Sequence, residues 1–110
     1  MHVQLIRFRL HGITEDRYHA LCEELAPAFA EIPGLLAKVW LADAARGVYG
    51  GLYLFRDRDA MEEFRASDLF ATVASSPHFA DIAASDFAVI EEPTRVTQPV
   101  LRLLAGAGVP

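Results

Sequence analysis

Few side chains in this 110-residue sequence are of types that do chemistry, and their placement restricts what chemistry that is. His78, in the run SSPHF, carries an imidazole, the group whose class exchanges protons near neutrality. It is the candidate catalytic acid or base, and the alternative is a histidine at a helix end or on the surface. The stretch KVWLADAARGVYGGLYLF, Lys38 to Phe55, sets the only tryptophan, Trp40, on a strand whose hairpin partner carries Gly50 and Gly51. Either the aromatic covers the missing side chains as simple packing, or the glycines open a slot walled by Trp40, Tyr49 or Tyr53. Those three are therefore the candidate substrate-binding residues. Lys38 shares a strand face with Trp40 and either anchors an anionic oxygen or snorkels to the sheet edge. Cys22 falls in the apolar stripe of a helix, the setting of an inert buried thiol. Arg95 either pairs with Glu91 or Glu92 or meets a ligand.

Other chemistries lack their residues. No HExxH or CxxC occurs, and no two histidines share a helical face with a carboxylate at metal spacing, so no metal is expected. GVYGG has neither the GxGxxG spacing nor a strand-to-helix setting, so no nucleotide cofactor is expected. A net charge of −5 argues against a surface that tracks nucleic-acid phosphates. The single cysteine excludes an intrachain disulfide, and Arg7 and Arg9 interrupt the apolar run a signal peptide would need. The expectation is a cytoplasmic protein without a membrane span, built as one domain over residues 1–97 with a tail over 98–110.

The elements that must position these residues follow from periodicity. HVQLIRFRL, residues 2–10, alternates with Ile6, Phe8 and Leu10 on one face and Val3, Leu5, Arg7 and Arg9 on the other, the pattern of a strand. Thr14 caps a helix whose stripe runs through Tyr18, Leu21, Cys22, Leu25, Phe29 and Ile32, with a kink or break expected near Glu23 to Pro27. Residues 35–42 and 48–55 read as strands joined by DAARG, with Gly47 at a positive backbone angle. The stretch from Asp57 to Ile82 reads as two short helices or one broken one, with Asp57 and Ser67 as caps. Asp86 to Glu92 reads as the last strand, ended or bent by Pro93.

The order β-α-β-β-α-β predicts an α+β, ferredoxin-like fold: a four-stranded antiparallel sheet with helices on one face. The middle strands are apolar on both sides, so the uncovered face is expected to pack on a second copy as a homodimer.

PGLLAKVW, the hairpin loop, GGLYLFRDRDAMEEF and FAVIEEPTRVT, together spanning roughly Ile32 to Thr97, resemble the YdhR-like mono-oxygenases. That family lies within the dimeric α/β-barrel superfamily, beside the antibiotic-biosynthesis monooxygenases, to which SSPHF is also similar. The resemblance implies a dimer, a cavity between sheet and helices, and cofactor-independent oxygenation of anthrone- or quinol-like aromatics. Relatives that degrade haem or isomerise lactones keep other reactions open. A haem-degrading relative would need an axial histidine, for which His78 is the candidate. A dimeric binding module without turnover is the alternative from a different class.

Overall fold

Nine residues of alternating burial, His2–Leu10, form the central strand β1, with His2, Gln4, Ile6 and Phe8 buried on one face. The structure is a computed structural model and describes residues 1–98; the expected tail falls, after Gln98, outside the described residues. After β1 come α1 (Glu15–Ala30), β2 (Leu35–Asp43), β3 (Val48–Phe55), α2 (Arg58–Arg65), α3 (Asp68–Ala74), β4 (Phe79–Ala88) and α4 (Glu91–Thr97). The strands make one antiparallel sheet in the order β2-β3-β1-β4, the ferredoxin-like arrangement.

The helix starts are where short polar residues stand. Thr14 Oγ1 accepts from the Arg17 amide at 3.1 Å, Asp57 Oδ1 from that of Ala60 at 2.8 Å, and Ser67 Oγ from that of Phe70 at 3.2 Å. Each satisfies an amide that has no partner in the first turn. Gly47 closes the hairpin at φ +66°, a left-handed angle that glycine adopts freely.

Two expectations need correction. Of the kink or break expected near Pro27, the break does not occur: α1 continues through Pro27 to Ala30. Pro27 and Glu23, the residue whose carbonyl loses its amide partner, are both exposed, so water can serve that carbonyl. Beyond the proline, Phe29 is only 3% exposed and pins the last turn to the sheet. The last strand also begins earlier and ends sooner than expected. β4 runs alongside nearly all of β1, from Phe79 opposite Leu10 to Ala88 opposite His2. An irregularity at Asp81, with φ +55°, breaks its alternation and disguises it as non-strand. Glu91 to Thr97 is a short helix, and Pro93 fits its first turn because no intrahelical amide bond is needed there.

Between the sheet and helices α1 to α3 lies an aromatic core. Phe29, Tyr53, Phe55 and Phe64 form one group of rings, while Phe8, Tyr18, Tyr49 and Phe79 form a second. The opposite sheet face presents Val3, Leu5, Val39, Leu52, Leu54 and Phe87, with Phe87 62% and Leu52 37% exposed. α4 sits at one end of that face, where Thr94 and Val89 meet Val3, Ala37 and Leu54.

Candidate functional site

The hairpin register puts Trp40 opposite Gly51 and Leu41 opposite Gly50. Trp40 lies on the helix face, its ring edge-on to Phe29 at 5.2 Å between centroids. A Cβ on Gly51 would stand 2.9 Å from Lys38 Cε and 3.2 Å from Tyr53 Cε1, so the room left by this glycine is taken by the lysine stem. Gly50 is required differently: at φ +153° a Cβ there would run into the Ile6 carbonyl oxygen of the neighbouring strand.

Lys38 therefore turns inward, not to the sheet edge. Its Nζ lies 3.3 Å from the centre of the Trp40 ring, 3.5 Å from that of Phe29 and 4.7 Å from that of Tyr53. Two forces act on this amine. Ring faces attract its cation by about 0.5–2 kcal/mol, whereas removal from water disfavours the charge by more. Burial wins and brings the Lys38 pKa down to about 7, with the Cys22 thiol opposing the shift weakly.

Beside this cage is a cavity of about 30 Å³, room for a single water, lined by Tyr18, Cys22, Lys38, Trp40, Tyr53 and apolar neighbours including Phe79. Burial raises the Tyr18 and Tyr53 phenols and the Cys22 thiol. All three stay protonated through neutrality, so of the cavity's four ionisable side chains only Lys38 exchanges a proton near pH 7. On the outer side of Trp40, a surface groove of about 320 Å³ runs between α1 and the edge strand β2. Phe29, Lys38 and Trp40 line both spaces and form the partition between them.

Of the residues singled out from the sequence, Trp40 and Tyr53 come together at the cavity with Lys38. Tyr49 is buried but sits behind Tyr18, edge-on at 5.2 Å, and does not line the cavity. His78 is exposed and also stands outside the lining. Its Nδ1 is 3.0 Å from the His11 carbonyl oxygen, and its own carbonyl accepts from the His11 amide at 2.9 Å. Arg95 donates to Glu92 at 2.8 Å on the surface of α4. Tyr18 and Cys22 are the members that sequence reasoning passed over as functional; their i, i+4 spacing on α1 was the available signal. Among the described residues no three His, Cys, Asp or Glu side chains converge as metal ligands, and no helix is long and apolar enough to cross a membrane.

Three solved structures share this architecture. SnoaB, a cofactor-independent oxygenase from Streptomyces nogalater, is 20% identical, with 82% of this chain and 93% of that one aligned at a TM-score of 0.66. A point mutant of MhuD, which holds two manganese protoporphyrin IX per active site, is 14% identical over 84% and 97% of the two chains, TM-score 0.67. A dimeric ferredoxin-like protein of unknown function from Thermobifida fusca is 23% identical over 81% and 92%, TM-score 0.64. At such identities the likeness shows the fold. No curated protein matches the sequence. The family model "Putative mono-oxygenase ydhR" matches residues 3–100, nearly the whole of the described chain, and on that match the protein belongs to this mono-oxygenase family.

Proposed function

We propose that the protein is a cofactor-independent monooxygenase of the cytoplasm, acting as a homodimer on a small anthrone- or quinol-like aromatic, with Lys38 as the base. The observation that carries this reading is the Lys38 amine, caged by Trp40 and Phe29 and bordering the cavity. A neutral amine there takes the acidic proton of an anthrone-like CH₂ and then, as ammonium, holds the resulting anion against the ring faces. The carbanion reduces dioxygen and bonds to it. The Lys38 ammonium returns the proton to the peroxide, and loss of water leaves a C=O where the CH₂ stood. One oxygen atom ends in the product and one in water, with all electrons drawn from the substrate.

As it stands the cavity is far too small for a tricyclic aromatic. Rotation of Trp40 would join it to the outer groove, so the reading requires that Trp40 move aside when substrate enters. The sheet face away from α1 to α3, with Leu52 and Phe87 exposed and Leu54 half-buried, supports a face-to-face homodimer. His78 is exposed and lines neither the cavity nor the groove, so it serves as the control position. Among the described residues the cavity lining contains no imidazole, which disfavours the haem-degrading alternative.

The test is oxygen uptake by metal-stripped protein with anthrones and hydroquinones, against a protein-free autoxidation control. Uptake above the control, reduced at least 100-fold by Lys38→Met and less than threefold by His78→Ala, is the expected result. Stabilisation by these aromatics with no excess uptake would replace the oxygenase with a binding module that has no turnover.

A further inference from the structure

Of the ten Lys and Arg residues in the chain, Lys38 is the only lysine. The exposed arginines Arg17, Arg46, Arg56, Arg58, Arg65 and Arg95 each pair with an acid. An arginine holds its proton in any protein environment, whereas a lysine withdrawn from water gives it up more readily and frees a nitrogen lone pair. A desolvated neutral lysine is the condition under which an amine attacks a carbonyl. The groove beside Lys38 supplies the rest of such a site: besides Lys38 its lining is apolar, with the rings of Phe29 and Trp40 next to Leu35 and Leu36.

We propose that Lys38 is a covalent carbonyl-binding site, at which a small planar aromatic aldehyde or ketone seated in the groove along β2 forms an imine with Nζ. A C–N bond forms as the amine adds to the carbonyl carbon. The C–O bond then breaks, and the oxygen leaves as water with the two hydrogens of the neutral amine. No oxidant or reductant takes part, and hydrolysis reverses the step. This site goes beyond the oxygenase reading: it shares Lys38 with it but needs no dioxygen.

The test is anaerobic incubation of the full chain with 1-naphthaldehyde and cyanoborohydride at pH 7, followed by peptide mass mapping. The expected result is a saturable reduced adduct on the Lys38 peptide, formed at least tenfold faster than on free Nα-acetyl-lysine amide and absent from Lys38→Arg. The Met1 amine, held 3.0 Å from Glu91, is the internal comparison. Labelling confined to Met1, or at Lys38 no faster than at the free amine, overturns the proposal. If Lys38→Arg fails to fold, the wild-type pH profile decides. Half-maximal rate near pH 7 supports the site, and a rate still climbing towards pH 10 refutes it. Oxygen uptake without the adduct ends this proposal and leaves the oxygenase reading; the adduct without oxygen uptake does the reverse.

Discussion

Lys38 and Trp40, two residues apart on one face of β2, are in direct contact, with Nζ 3.3 Å from the centre of the tryptophan ring. Strand alternation makes the contact possible, since residues i and i+2 project from the same face. Gly51 on the adjacent strand makes it fit, because any larger residue would occupy the space of the lysine stem.

Replacing Lys38 by Met should stabilise the fold, most at low pH. Folding lowers the lysine pKa from 10.5 to about 7, so between these values the unfolded chain binds more protons and wild-type stability rises with pH. The cost of the buried charge is therefore greatest below pH 7 and relieved towards pH 10. Partial exposure limits that cost to ~2–4 kcal/mol. Urea denaturation of both proteins should show the variant ahead at pH 6 and the gap closing by pH 9.5; a constant gap would contradict the buried-amine account.

The two hairpin glycines should respond differently to alanine. Gly50→Ala places a methyl group against the Ile6 carbonyl within the sheet, at a φ that L residues avoid, and should cost more than about 2 kcal/mol. Gly51→Ala meets only the Lys38 stem and the Tyr53 ring edge, and should cost about 1 kcal/mol while displacing the amine. Thermal denaturation separates the two, and equal losses would refute the distinction.

Gln4 is 0% exposed, and among the described residues neither its Nε2 nor its Oε1 has a hydrogen-bond partner. Leaving such an amide unpaired in a core costs about 1–3 kcal/mol. Gln4→Met, similar in shape, should raise the unfolding free energy by that order, and a loss of stability would mean that the amide is satisfied in solution.

The sheet face opposite the helices should govern assembly. Wild type should sediment at twice the chain mass at micromolar concentration, and Leu52→Lys, at the centre of the exposed apolar face, should halve it with secondary structure intact. A single-chain mass for wild type would remove the dimer from the proposed function.

Much of the fold was legible because its signals are local. Thr14, Asp57 and Ser67 cap the helices they were expected to cap, and the alternation of β1 assigned its faces correctly. β4 was misread because its first half, FADIAAS, is rich in alanine and irregular at Asp81. What marks it as a strand is its pairing with β1, which lies at the other end of the described chain. The candidate site was half legible. Trp40 and the glycines stood out by composition, but whether Lys38 turned inward depended on the register that set Gly51 opposite Trp40. Tyr18 and Cys22 looked like ordinary members of an apolar stripe, and only the sheet beneath them shows that the stripe borders a cavity.

Because Trp40 is the only tryptophan, the protein carries its own optical reporter at the cage. Its indole fluorescence comes from one place and feels one amine. Loss of the proton from Lys38, displacement of the ring by an incoming aromatic, and opening of the partition should each register as a change in emission, so occupancy of the site can be followed in a fluorimeter without a label.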